Sequence, residues 1–160
     1  MREGQKLLQN ELLFLAASIL LSSGPIAAQP EASDATFTIA ISLPEANVLQ
    51  GSRMRLDVTV NSNSKSVFIL PDIRQFAANT VTILDADGNL VAPRNVPSGP
   101  IAGSHFGLFI NPGKSHTESV YLSKTFDLNR PGSYSIQAHE KDRENGKIVY
   151  SNVVHLNVLP

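Results

Sequence analysis

Four histidines (His105, His116, His139 and His155) and the absence of cysteine bound the chemistry this chain can attempt. His116 and Glu118 stand two apart, which puts both side chains on one face of a strand and supplies part of a metal site; a second strand would have to complete it. Structural zinc sites declare themselves by tighter ligand clusters, so the pair reads as exposed strand residues, as does His155. The run Asp85-Ala86-Asp87-Gly88-Asn89 opens like a calcium loop, but Arg94 and Asn95 fall where the late ligands belong. Asp87-Gly88 is accounted for as a hairpin turn. Gly103-Ser104-His105-Phe106-Gly107 places its serine one position early for a nucleophile elbow. No Gly-rich loop precedes a helix, as phosphate binding requires. The sequence therefore predicts no catalytic residue, no metal and no cofactor.

Residues suited to recognition are easier to find. Within 92–106 (APRNVPSGPIAGSHF), Pro93, Pro97 and Pro100 stiffen the backbone, and Ile101 and Phe106, with Phe109 just beyond, offer apolar anchors beside Arg94. The segment 71–79 (PDIRQFAAN) contributes Ile73 and Phe76 in the same way. Long loops on a rigid frame are where binding usually resides. An exposed sheet edge offers a second route, by accepting a partner's strand.

The frame that would carry these loops is a set of strands. Phe37, Ile39, Ile41 and Leu43 alternate with polar or small residues, as do Met54, Leu56, Val58 and Val60, the pattern of strands with one face on a core. Residues 66–70 form a short apolar run ending at Pro71; Val81 and Ile83 begin a strand that reaches the Asp87-Gly88 turn, with Leu90 and Val91 starting the return. Asn111-Pro112-Gly113 is another turn, followed by a strand over 115–122 with Val120 and Leu122 inward. Tyr134, Ile136 and Ala138 begin a further inner row. A charged tip at 141–146 leads to a short strand over 147–150 and a last alternation, Asn152, Val154, Leu156 and Val158. No window after residue 28 carries a helical apolar stripe of useful length. Strands at intervals of roughly 8–12 residues predict an all-β, immunoglobulin-like antiparallel β-sandwich of about seven to nine strands.

The first 28 residues read as an address. Arg2 and Lys6 precede the apolar run 12–21 (LLFLAASILL), residues 22–25 break it, and Ala27-Ala28 suits cleavage. This predicts a signal peptide over 1–28, a polar tether over 29–36 and the sandwich over 37–160, with no membrane span once the leader is removed. The destination is periplasmic or extracellular, in a bacterial setting favoured by the lack of cysteine and of Asn-x-Ser/Thr sites. The net charge is -1, and removing 1–28 takes away two basic and two acidic residues, so the balance is unchanged. That gives no electrostatic case for nucleic acid or an anionic membrane.

The stretch 111–158, with NPGKSHTESVYLSKTFDLNRPGSYSIQAHE and then SNVVHLNV, resembles the non-catalytic β-domain of deuterolysin-like and peptidyl-Lys metalloendopeptidases. It is similar as well to immunoglobulin-like domains of unassigned function in exported bacterial proteins. The resemblance implies a structural corner from Asp127, Pro131, Gly132 and Tyr134, in which the tyrosine ring packs inward and its hydroxyl bonds backbone a few residues upstream. It implies no protease: the 160 residues hold no HExxH helix, and His139-Glu140 is followed by Arg143 at the position of the second histidine. The expectation is a non-enzymatic exported module that recognises a protein or extended peptide. Two further readings are a secreted proteinase inhibitor with a Pro-stiffened loop and a structural subunit of an envelope assembly. The oligomeric state is not legible.

Overall fold

The computed structural model describes residues 34–70, 73–94 and 108–160. The leader, most of the tether, Ile101 and Phe106 lie outside the described residues. The order of elements is β1 (Phe37–Ser42), β2 (Asn47–Leu49), β3 (Arg55–Ser62), β4 (Phe68–Leu70), α1 (Ile73–Thr80), β5 (Val81–Leu84), β6 (Leu108–Ile110), β7 (Ser115–Tyr121), α2 (Leu122–Thr125), β8 (Gly132–Lys141) and β9 (Ile148–Leu159).

The strands form a sheet β1-β3-β7, a sheet β2-β9-β8-β5 and a two-stranded ribbon β4-β6. All pairs are antiparallel except β2 with β9, which is parallel. The chain is thus the expected all-β sandwich. Its core is the meeting of period-two rows: Phe37, Ile39 and Ile41 from β1, Leu56, Val58 and Val60 from β3, then Ile83, Ile136 and Leu156 from the facing sheet, all buried. Burying a side chain such as Leu56 or Ile136 contributes about 1.5–3 kcal/mol. A one-residue slip would turn each row to water, so the alternation also fixes register.

Two features depart from the alternation read in sequence. Short helices α1 and α2 occur where no helical stripe was expected. At eight and four residues they fall short of the length over which a helical stripe is read, although Ile73, Phe76 and Ala77 do stand at i, i+3 and i+4. The final strand is one element, Ile148–Leu159, not two pieces. The pairing of β8 with β9 shifts register between Gln137 and His139, leaving Ser151 and Asn152 opposite Ala138. This bulge moves the buried row from Val149 and Ser151 to Leu156 and Val158. Its spare polar groups are used: Ser151 Oγ accepts the Ala138 amide at 2.9 Å. The Asn152 side chain accepts from the Ile41 amide and donates to the Ile41 carbonyl, each at 2.9 Å, joining the second sheet to the edge of the first.

Candidate functional site

Two regions gather the residues singled out in sequence. The first is the corner between α2 and β8. Pro93 bridges Phe126, the Arg94 amide donates to the Thr125 carbonyl at 2.7 Å, and the Arg94 guanidinium pairs with Asp127. Arg94 is therefore engaged by backbone and side chain at once. The Asn129 amide and the Arg94 guanidinium hold the Asp127 carboxyl below its ordinary range, against some desolvation. Downstream, the Tyr134 hydroxyl donates to the Arg130 carbonyl at 2.8 Å, with the ring almost wholly buried. Burial pushes this phenol up. Gly132 takes φ +151°, a value side chains rarely adopt, just after Pro131.

Facing this corner is the turn after β5. Asp85 accepts the amides of Asp87 at 3.0 Å and Asn89 at 2.8 Å, and Gly88 takes φ +81°. The Asn89 amide is the largest influence lowering the Asp85 carboxyl; desolvation opposes it, and the Asn89 side chain, the Asp87 amide and Arg130 help. Turn and corner enclose a groove of about 410 Å³ lined by Asp85, Asp87, Leu90, Asp127, Arg130 and Tyr134 among others. Of its three carboxylates, Asp85 and Asp127 are spent on turn amides and Asp87 lies within the turn itself, so the groove reads as the seam of a corner. Among the described residues, no three His, Asp or Glu stand close enough together to hold a metal ion.

The described histidines are dispersed. His116 lies 3.7 Å from Glu118 on β7; both are opposite buried residues of β3, Val60 and Val58, and so lie on the row that faces the core. His155 meets the Ser135 hydroxyl at 3.2 Å, and the His139 ring lies 5.9 Å from that of Tyr150.

The second region is the ribbon. Phe68 pairs with Ile110, Ile69 with Phe109, and Leu70 with Leu108. Directly opposed residues share a face. Ile110 is buried and Leu108 is half-buried against the core, so that face is the inner one. Ile69 and Phe109 stand together on the other face at 46% and 64% exposure, and Val67 beside them is 50% exposed. Ile73 and Phe76 lie on α1, which follows the ribbon's first strand in the chain. Sequence reasoning named Phe109 but missed Ile69. A run of consecutive apolar residues, the FIL of β4 against the LFI of β6, was the available signal, since it marks strands with two apolar faces.

No family model matches the chain, and no curated protein matches it. Among solved structures it is similar to a CARDB domain from Pyrococcus furiosus, crystallised in complex with di-metal ions: 14% identity, 76% of this chain, 91% of that one, TM-score 0.43. It is also similar to part of a β-glucosidase from Listeria innocua in complex with glucose (12% identity, 79% of this chain, TM-score 0.47). A β-glucosidase from Erythrobacter marinus matches at 15% identity over 78% of this chain, with TM-score 0.45. The chain spans 16% of the length of each glucosidase. At these TM-scores the likenesses carry no argument about ligand or activity, and the sandwich assignment rests on the strand pairing itself.

Proposed function

We propose that this chain is a non-enzymatic, exported binding or accessory module that recognises a protein or extended peptide. The observation that carries this reading is the outer face of the ribbon, where Ile69 and Phe109 are directly opposed and exposed. A strand pair that is apolar on both faces is normally covered on both. Here the inner face packs on the core, and the outer face offers an apolar patch beside Val67. Such patches mark interaction sites, and an aromatic at the centre is the residue type on which binding energy concentrates. The resemblance of 111–158 to a non-catalytic β-domain supports an accessory role. The composition of 1–28 supports export, and among the described residues no helix is long and apolar enough to cross a membrane.

The test is capture of envelope and culture-fluid proteins from the native host by the full chain and by the Ile69→Ser/Phe109→Ser variant. The reading requires a partner that the parent retains and the folded double variant releases. Equal retention by both would refute the ribbon as the recognition surface.

A further inference from the structure

Of the four outer strand edges of the two sheets, two are met by other parts of the chain and a third is short. At the β1 edge, Asn152 takes up both backbone groups of Ile41, and Asp142 accepts the Thr36 amide at 2.8 Å just before the strand. Beside β5, the Val91 amide donates to the Ile83 carbonyl at 2.9 Å and the Asp85 amide to the Asn89 carbonyl at 2.9 Å. The β2 edge is three residues long.

The β7 edge is different. It runs for seven residues and, among the described residues, no strand pairs with its outer side. The Ser62 amide donates to the Lys114 carbonyl and the Leu122 amide to the Met54 carbonyl, both at 2.9 Å. In an antiparallel ladder the bonded pairs alternate, so the even-numbered residues of β7 bond to β3. The backbones of Ser115, Thr117, Ser119 and Tyr121 therefore point outward. Their side chains are exposed on one face, and on the other His116 and Glu118 are 39% and 42% exposed. The outer face of the edge is open there, and the inner face is only partly covered.

We propose that β7 pairs antiparallel with the same strand of a second copy of this chain, with Thr117 on the two-fold axis. In that register Thr117 opposes Thr117 of the partner subunit, and Ser115 opposes Ser119 of the partner subunit, as hydrogen-bonded pairs. His116 then opposes Glu118 of the partner subunit, once on each side of the axis, in non-bonded pairs whose side chains approach most closely. The match of an imidazole N–H donor to a carboxylate acceptor selects this centre. Moving the axis to Glu118 or to His116 sets two like residues against each other, and a centre between residues leaves the outward amides without facing carbonyls. The part-exposed polar side chains of His116 and Glu118 also exclude apolar strands, a means by which edges are kept from indiscriminate pairing. The product is a continuous six-stranded sheet whose pairing uses no residue of the ribbon, so the dimer stands or falls independently of the binding reading.

The chain has no cysteine, so Thr117→Cys supplies a single thiol. Hydrogen-bonded antiparallel pairs have Cα atoms about 5.5 Å apart, inside the disulfide range of about 4.4–6.8 Å. Ser119→Cys places its two thiols four positions out of register, roughly 13 Å apart. Light scattering on the full chain is expected to give the dimer mass, and mild oxidation to link Thr117→Cys but not Ser119→Cys. Glu118→His alone is expected to weaken dimerisation about tenfold, and adding His116→Glu to restore it. A monomer at every concentration, equal cross-linking of the two cysteine variants, or no recovery in the double swap would each overturn the proposal.

Discussion

Asp142 sits at the base of the turn between β8 and β9, with the whole residue buried. One carboxylate oxygen accepts the Thr36 amide at 2.8 Å and the other accepts the Glu144 amide at 2.9 Å. The entry to β1 is thereby tied to the last hairpin across 106 residues of chain. A hydrogen bond to a charged acceptor contributes about 1.5–3 kcal/mol. Asp142→Ala removes both while relieving the cost of burying a carboxylate, for a net loss of about 2–4 kcal/mol. Asp142→Asn is the sharper test. An amide has one acceptor oxygen, so its NH2 must face one of the two N–H donors, and the loss should reach at least half that of alanine. Burial is the largest single influence on this carboxyl and pushes it up, but the amides of Thr36, Glu144 and Asn145 together bring it below the ordinary value of 3.8. With the folded value depressed, the stabilisation is fully present above the unfolded value and is lost as pH falls through the folded one. The gap between parent and Asp142→Asn should therefore hold constant at neutral pH and close only below about pH 3.8. Urea unfolding of the full chain at pH 7 and through the acid range measures both effects. An asparagine variant as stable as the parent at pH 7 would refute the two-oxygen clamp.

Tyr134→Phe deletes the hydroxyl that bonds the Arg130 carbonyl and should cost about 0.5–1.5 kcal/mol in the same assay, with the sandwich intact by circular dichroism. Ser62→Ala should be neutral or stabilising by up to about 1 kcal/mol, because that buried hydroxyl has no hydrogen-bond partner among the described residues. If the leader is cleaved after Ala28, N-terminal sequencing of protein from the native host will begin at Gln29; an intact Met1 in mature protein would contradict export by cleavage.

The rows that alternate cleanly were legible because each strand is buried on one side only. Phe37 to Ile41, Met54 to Val60 and Tyr134 to Ala138 follow the expected parity without exception. The last strand was misread as two because the bulge at Ser151 and Asn152 inverts parity inside one element, which alternation alone reports as a break. The parallel pairing of β2 with β9 joins residues 110 positions apart and leaves no local trace, since pairing partners of a three-residue strand are chosen by tertiary contact. Asp142 was hidden for a related reason. In a tip reading KDRENG, a buried carboxylate looks like its solvated neighbours, and its donors, Thr36 and Glu144, are identified only by the fold. The apolar character of Phe109 was visible, but its partner across the ribbon was not, because the two strands lie on either side of a long intervening stretch.

The measurement that bears most directly on the recognition surface is photo-cross-linking in the native host from Phe109→benzoylphenylalanine, with the same group at Thr38 on the outer face of the other sheet as the control. The ribbon reading predicts one covalent adduct of defined mass from position 109, abolished by Ile69→Ser and absent from position 38. No adduct at 109, or the same adducts from both positions, would contradict it.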